Sequence, residues 1–130
     1  MGSRSDFHIL LACTVYGNAV LLAMFEFIET PFFTKALERY LDDDNYAKLQ
    51  AYLNERPEVG AIVTGSGGVR KMRWAAEGRG KRGGLRVIYY LLLARGQIWM
   101  LTVYGKNVRE TIAAHILRQM KEAIDDAKDD

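Results

Sequence analysis

Hydrophobic and polar positions alternate, or form β-branched and aromatic runs, in four stretches of the chain, and recur at helical spacing in three others. The first pattern predicts strands at residues 24–30, 69–75, 85–93 and 98–104. The second, with apolar residues three and four positions apart, predicts helices at residues 32–41, 46–53 and 111–128. The predicted order is therefore β-α-α-β-β-β-α, with a glycine-rich loop before residue 69.

Short polar residues and prolines mark the ends of the two N-terminal helices. Thr30 is placed to cap the first helix, with Pro31 at its first position. Residues 42–45 end that helix and cap the second, which stops at Arg56 because the residue before a proline disfavours the α region. Three successive strands with short connections form an antiparallel meander. We therefore predict an α+β fold: a small antiparallel β-sheet with two N-terminal helices packed on one face and a C-terminal helix.

Residues 1–23 differ in character from the rest of the chain. After Asp6 they are largely apolar, but the run is broken at residues 16–18 and is short for a membrane span of about 20 residues. We interpret residues 1–23 as an appendage, either a tag or a start set too early, with Met24 as the natural initiator. A secretion signal is the alternative. Residues 24–130 are expected to form one domain, since a chain of 130 residues with 49% hydrophobic content suits a single core.

Basic residues are concentrated around the second and third strands, although the formal net charge is only +2. Between positions 70 and 86 the one acid is Glu77, and the basic residues are Arg70, Lys71, Arg73, Arg79, Lys81, Arg82 and Arg86. Acids collect at residues 42–44 and in the C-terminal tail. This separation indicates a face that binds anions. A basic hairpin that is merely solvated is the alternative.

The stretch GRGKRGG at residues 78–84 matches the GxGxxG spacing of a dinucleotide-binding turn. That motif requires a strand before it, a helix after it and an acidic residue about 20 positions on. Here the glycines lie between two predicted strands, and no acid follows until Glu110. We therefore predict a flexible connection whose basic residues contact the phosphates of a polyanion.

Strand periodicity places several cations on one side of the sheet. Lys71 and Arg73 share a face of their strand, and Arg86, Tyr104 and Lys106 lie on faces that meet it if the registers align. The helices are expected to cover the opposite, more apolar side. Several cations and a phenol, without carboxylate or histidine, suit stabilisation of a pentavalent phosphorane. Arginines that only clamp phosphates are the alternative.

Metal and cofactor chemistry find no support in the sequence. Cys13 is the single cysteine, and neither His8 nor His115 has a partner at metal-ligand spacing. We predict neither a metal site nor a cofactor.

The sequences of residues 67–93 and 98–107, GGVRKMRWAAEGRGKRGGLRVIYYLLL and IWMLTVYGKN, resemble the HigB/RelE toxins of bacterial type II toxin–antitoxin modules. The resemblance extends from Met24 to the C-terminal helix and implies a small antiparallel sheet with two N-terminal helices. It also implies a cytoplasmic, metal-independent mRNA interferase, an endoribonuclease that enters the ribosomal A site and cuts the message. Its expected partners are mRNA, ribosomal RNA and a cognate antitoxin, often with a helix-turn-helix domain; no membrane is involved.

The resemblance also suggests roles for individual residues. Lys71 and Arg73 match the paired basic residues of the family, Arg86 matches the arginine that opens the next strand, and Lys106 matches the basic residue after the last strand. Some members carry a functional C-terminal tyrosine; this chain has none after Tyr104, which is the nearby substitute.

In the mechanism implied by this resemblance, the RNA 2′-OH attacks the adjacent phosphate. Lys71 or Tyr104 helps to deprotonate the 2′-OH, Arg73 and Arg86 stabilise the phosphate charge, and Lys106 protonates the leaving oxygen. The basic residues expected to hold RNA without chemistry are Arg70, Arg79, Lys81 and Arg82. Two alternatives remain: a basic RNA- or DNA-binding module without catalysis, and an inactive toxin relative that only binds its antitoxin.

Overall fold

The computed structural model describes residues 24–75, 84–105 and 112–127. Its elements are β1 (Glu26–Glu29), α1 (Pro31–Tyr40), α2 (Asp43–Glu55), β2 (Ala61–Ile62), β3 (Arg70–Trp74), β4 (Leu85–Leu92), β5 (Gln97–Gly105) and α3 (Ala114–Ala127). A 3-10 turn, Leu93–Arg95, joins β4 to β5. The α+β class and the predicted order of elements are confirmed. The two-residue strand β2, within the expected glycine-rich loop, is an addition, and the interpretation of residues 1–23 falls outside the described part of the chain.

The five strands form one sheet in the order β1-β5-β4-β3-β2. The predicted meander is present, because β3 pairs with β4 and β4 with β5 in antiparallel fashion, and β2 extends it as an antiparallel edge. The first strand adds a parallel pairing at the other edge, where Phe27 lies opposite Ile98 of β5. The sheet is therefore antiparallel except for this one edge.

Side chains cap the N-terminal ends of α1 and α2 at the positions that the sequence predicts. The Thr30 hydroxyl accepts a hydrogen bond from the backbone N–H of Phe33 (3.1 Å) and donates one to the carbonyl of Leu101 in β5 (2.8 Å). The Asp42 carboxylate accepts from the N–H of Asn45 (2.8 Å) at the start of α2. These caps satisfy N–H groups that have no partner inside the helix. The Thr30 cap also fixes α1 to the sheet.

Both faces of the sheet carry a hydrophobic core. The α1/α2 face packs against the first two helices. Its buried residues include Phe33, Leu37, Tyr46, Leu49, Leu53, Val87, Tyr89, Ile98 and Met100. The α3 face packs against the C-terminal helix through a smaller cluster, Val69, Ile88, Tyr90, Leu92, Leu101, Leu117 and Ile124. The expectation that the helices leave the cationic side of the sheet uncovered is therefore wrong for α3. Its amphipathic stripe covers part of that face because β4 is apolar on both sides.

A β-bulge in β5 decides which face its last residues occupy. Ile88 lies opposite Thr102, whereas the next residue, Tyr89, lies opposite Met100, so Leu101 is the extra residue. A bulge changes the side to which the following residues point. Met100 and Val103, although three positions apart, consequently both belong to the core of the α1/α2 face, whereas Leu101 belongs to that of the α3 face.

Candidate nucleic-acid interface and active site

Three strands bring two arginines and a tyrosine into one row across the sheet. Arg73 of β3 lies directly opposite Arg86 of β4, and Arg86 lies directly opposite Tyr104 of β5. Residues in this relation share a face, with their Cβ atoms about 4.5–5.5 Å apart. Lys71 lies two residues before Arg73, so it shares that face and is next to the row. The structure thus brings together four of the five residues predicted to be catalytic.

The Arg73–Arg86–Tyr104 row occupies the end of the α3 face that has the fewest apolar residues. Farther along β4, Ile88 is only 2% exposed and lies in the core beneath α3 together with Tyr90 and Leu92. At the row itself, Arg73 and the neighbouring Lys71 are exposed, whereas Arg86 is half-buried. The α3 face is therefore divided into an apolar part under the helix and a cationic part that solvent and ligands can reach.

The row concentrates positive charge in one place. Like charges directly opposite each other on neighbouring strands destabilise a sheet, by up to about 1 kcal/mol. Two salt bridges, Arg118–Glu122 and Lys121–Asp125, lie inside α3. No carboxylate of the described residues forms a salt bridge with Lys71, Arg73 or Arg86. An anion bound between Arg73 and Arg86 would remove their repulsion, so the arrangement favours a phosphate ligand.

The phenol of Tyr104 is partly buried beside Arg86. Burial raises the pKa of its phenol above the ordinary value, although the nearby positive charge of Arg86 acts in the opposite direction. The hydroxyl therefore keeps its proton at neutral pH and can donate a hydrogen bond to an anion held by the arginines. The roles of Tyr104 and Lys71 in deprotonating the 2′-OH stay predictions.

Arg70 lies on the other face of β3, away from the row. It is directly opposite Tyr89, whose ring is in the core of the α1/α2 face. The Arg70 guanidinium nitrogen Nη1 donates to the carbonyls of Gly60 (2.7 Å) and Glu58 (3.2 Å). Alternation along β3 turns Arg70 away from Lys71 and Arg73, so it is not part of the row, and its predicted contact with RNA stays a prediction. Sequence alternation already contained this signal.

The remaining predicted site residues, Lys106 and the glycine-motif residues Arg79, Lys81 and Arg82, lie outside the described residues. The described ends of their segments are nevertheless informative, because Trp74 lies opposite Leu85 at the end of the sheet that carries the row. Both ends of the basic segment are therefore close to the row, whereas the placement of its side chains stays a prediction.

The residues that anchor α3 were not identified from the sequence. The Tyr90 hydroxyl donates to the Asp125 carboxylate (3.0 Å), and Lys121 pairs with the same carboxylate (2.8 Å) and lies 5.9 Å from the centre of the Tyr90 ring. Lys121 and Asp125 are one helical turn apart, a spacing at which opposite charges attract. Their joint contact with Tyr90 holds α3 on the sheet beside the row.

Within residues 24–75, 84–105 and 112–127, no group of three or more histidine, cysteine or acidic side chains is arranged so that it could hold a metal ion. None of the helices in the same ranges is long and apolar enough to cross a membrane.

Comparison with known proteins identifies a solved structure with the same fold. No protein-family model matches the chain. The chain is similar to the E. coli toxin RelE, solved in the free state as a variant in which two arginines are replaced by alanine. The two sequences are 15% identical, and the TM-score of the two structures is 0.50. The match covers 77% of this chain and 98% of the RelE chain. The RelE-like fold implied by the sequence resemblance is thereby confirmed.

Proposed function

We propose that this protein is the toxin of a bacterial type II toxin–antitoxin module and an endoribonuclease that cuts mRNA on the ribosome. The observation that carries the proposal is the Arg73–Arg86–Tyr104 row, with Lys71 beside it, on the open end of a sheet with a RelE-like fold. Cations and a neutral phenol, set in a fixed row by strand register, are suited to stabilising a phosphate that gains charge during reaction. The sequence resemblance to HigB/RelE toxins selects RNA as the phosphate source.

The proposed reaction uses a nucleophile that belongs to the substrate. The 2′-oxygen of one nucleotide bonds to the phosphorus that follows it, and the bond from phosphorus to the next 5′-oxygen breaks. A proton leaves the 2′-OH and a proton is delivered to the 5′-oxygen. The products are a 2′,3′-cyclic phosphate and a 5′-OH. No water is consumed in this step, and the protein supplies proton transfer and charge stabilisation.

Each described residue of the row has a distinct task in this reaction. Arg73 and Arg86 hold the non-bridging oxygens of the scissile phosphate, because guanidinium groups match phosphate geometry and keep their charge. Tyr104 donates a hydrogen bond to the same phosphate, since its raised pKa keeps the phenol protonated. Lys71 is the proposed acceptor of the 2′-OH proton, and Lys106 the proposed donor to the 5′-oxygen.

The proposed partners follow from the same function. The substrate is mRNA in the ribosomal A site, and ribosomal RNA contacts the basic residues Arg79, Lys81 and Arg82. A cognate antitoxin, with a helix-turn-helix domain that represses the operon, neutralises the toxin. A protein with these partners acts in the cytoplasm. Among toxins of this fold, the proposed subtype is HigB.

The experiment is a reconstituted translation reaction with one defined message, to which the purified full-length protein is added. Primer extension maps new 5′ ends, and a parallel reaction contains the same message without ribosomes. We expect discrete cuts only in the translated message. We expect Arg86→Ala to cut about 10²–10³-fold more slowly, the usual effect of removing one preorganised donor to a developing anion. Arg56→Ala is the matched control, since it removes an exposed arginine at the end of α2, a helix that packs on the opposite face of the sheet from the row.

Lys71→Arg separates a base from a phosphate contact. Arginine keeps the positive charge but does not give up its proton in proteins. If Lys71 accepts the 2′-OH proton, Lys71→Arg is as slow as Lys71→Ala. Full activity of Lys71→Arg would leave Lys71 as a phosphate contact. Normal cutting by a folded Arg86→Ala protein would remove the row from the proposed mechanism altogether.

A binding function without catalysis is the second candidate, and one observation favours it. The described row contains no histidine or carboxylate, the groups that most often transfer protons near neutral pH. In that case the protein binds RNA or DNA with a steep dependence on salt and leaves the nucleic acid intact. An uncut message in every reaction, together with salt-sensitive binding, would establish this second function.

A further inference from the structure

The side of β3 and β4 opposite the row carries a polar clamp. Tyr89 projects from β4 across β3, and its hydroxyl donates to the carbonyl of Pro57 (2.7 Å) and accepts from the N–H of Gly60 (2.9 Å). Arg70, directly opposite Tyr89, donates through Nη1 to the carbonyls of Gly60 and Glu58. Two side chains from neighbouring strands thus hold the same short loop, residues 57–60, which leads into β2.

The clamp is closely packed around Gly60. A Cβ atom at this position would lie 2.9 Å from Cε1 and 3.0 Å from the hydroxyl oxygen of Tyr89, and 3.1 Å from the backbone carbonyl oxygen of Lys71. The loop backbone therefore rests on the tyrosine and on the backbone of β3, at a position where only glycine fits without movement. Tyr89 is 0% exposed, and burial raises the pKa of its phenol, so the hydroxyl stays protonated and available to donate.

The clamp lies beside the outer edge of β3, where the strand has few other partners, whereas all five residues of β3 pair with β4 on its inner edge. On its outer side β3 pairs with only two residues of β2, since Ala61 lies opposite Lys71 and Ile62 opposite Arg70. Beyond those pairs, Arg73 has a strand partner on one side only, namely Arg86. The repulsion between Arg73 and Arg86 acts at that same end of the strand. Interactions that fix β3 against β4 therefore determine how well the cations keep their spacing.

We propose that Arg70 and Tyr89 are positioning residues for the proposed cleavage: by clamping the 57–60 loop they hold β3 so that Lys71 and Arg73 meet the phosphate held by Arg86. This inference rests on the proposed function. It assigns Arg70 a task on the reverse side of the sheet, in place of a contact with RNA. A misplacement of about 1 Å at a reacting centre can reduce the rate about 10²-fold, so a clamp outside the site is able to control the rate.

The test compares three variants of the full-length protein, Arg70→Gln, Arg70→Lys and Tyr89→Phe, with Arg56→Gln as the control for loss of an exposed arginine. Three quantities are measured: the melting temperature, the single-turnover cleavage rate at saturating enzyme, and the slope of log affinity against log salt. The cleaved RNA is the defined message of the translation reaction. The affinity is measured for this message with a 2′-deoxy nucleotide at the cut site. All rates are measured at a temperature at which circular dichroism shows every variant to be folded.

We expect Arg70→Gln and Tyr89→Phe to cleave ten- to about 100-fold more slowly than the wild type with an unchanged salt slope. Arg70→Lys should recover part of the rate, because one ammonium nitrogen has enough donors for both carbonyls.

A decrease of about 0.7 in the salt slope for Arg70→Gln, with Tyr89→Phe unaffected, would instead identify Arg70 as an RNA contact. Lower melting temperatures with wild-type rates would show a role in stability alone. If the wild-type protein leaves the message intact, the proposed function fails and this inference falls with it; normal wild-type cleavage with normal rates in all variants overturns the inference alone.

Discussion

The two faces of the sheet differ in what their side chains do, although alternate residues of the same strands form both. On the α1/α2 face, Met72, Val87 and Val103 are buried with two helices above them. On the α3 face, their neighbours Arg73, Arg86 and Tyr104 form a row of two guanidinium groups and one phenol hydroxyl. The first arrangement gains stability from burial of apolar surface. The second places like charges side by side, which costs stability and creates a place for an anion.

This difference indicates how a small sheet carries a charged site without unfolding. The strands that present the row are fixed by the opposite face, through the hydrophobic core and through the clamp made by Arg70 and Tyr89. On the α3 face, the β4 residues of the apolar cluster under α3 all follow Arg86, and Tyr104 of the row packs against the edge of this cluster. Stability and proposed chemistry are thus separated by strand alternation across the sheet and by distance along it.

The largest effect is expected in the core of the α1/α2 face. Phe33 of α1 is 0% exposed and its ring centre lies 5.6 Å from that of Tyr46. Phe33→Ala should lower the free energy of unfolding by about 3–5 kcal/mol, because it removes apolar contacts and leaves a cavity. The adjacent Phe32 is 67% exposed, so Phe32→Ala is the control and should change stability by at most about 0.5 kcal/mol. Denaturant titration measures both, and equal losses in the two variants would contradict the assignment of this face as the main core.

A smaller loss is expected where α3 is anchored to the other face. Asp125→Ala removes the acceptor of the Tyr90 hydroxyl and the partner of Lys121, and should cost about 1.5 kcal/mol, the lower end for a hydrogen bond to a charged group, since Asp125 is only half-buried. Tyr90→Phe should cost less. The double variant should lose less stability than the sum of the two single variants, because both remove the same contact. Strict additivity in this cycle would show that Tyr90 and Asp125 act independently.

The two faces are also expected to respond together to alkaline pH. Burial is the main cause that raises the pKa of Tyr89 on the α1/α2 face and of Tyr90 on the α3 face above the ordinary value of 10.0. A raised pKa in the folded state means that the neutral phenol is favoured there. The resulting stabilisation is complete below about pH 10 and is lost as the pH rises through the raised values. Denaturant midpoints from about pH 8 to pH 11 should fall in the upper part of this range. The fall should be shallower in Tyr90→Phe, and an identical fall in wild type and variant would contradict this account.

The smallest expected effect has the opposite sign and belongs to the row. Arg73→Gln should raise the free energy of unfolding by about 0.2–1 kcal/mol, because it removes the like charge opposite Arg86. Arg73→Lys keeps the charge and should show no such gain. The difference between the two variants should shrink at high salt, where exposed charges are screened. A loss of stability in Arg73→Gln would show that Arg73 contributes to the fold rather than only to binding.

The position of the row could be predicted because it depends on local periodicity. Alternation along β3 assigned Lys71 and Arg73 to one side, and alternation along β4 grouped Arg86 with Ile88 and Tyr90. The same alternation placed Arg70 on the opposite side, yet the count of basic residues grouped it with the others. Charge composition reports that cations are near each other in sequence, whereas only geometry shows which of them share a surface.

Several elements of the site could not be predicted, and each depends on contacts between distant parts of the chain. The bulge at Leu101 arises in the pairing of β4 with β5, and no residue pattern in β5 announces it. The coverage of the cationic face by α3 follows from packing against Ile88 and Tyr90, which could have faced either layer as an apolar run. The raised pKa of Tyr104 follows from its burial, which is a property of the assembled fold.

The sequence by itself determined the order of the elements, the capped starts of α1 and α2, and the face on which each cation of β3 and β4 lies, because these depend on residues a few positions apart. The tertiary structure alone decided the parallel pairing of β1 with β5, the division of the α3 face, and the contact of Arg70 and Tyr89 with the 57–60 loop. Those features join residues roughly ten to seventy positions apart along the chain. Their free energy depends on which surfaces meet, and that is settled only when the whole core is packed.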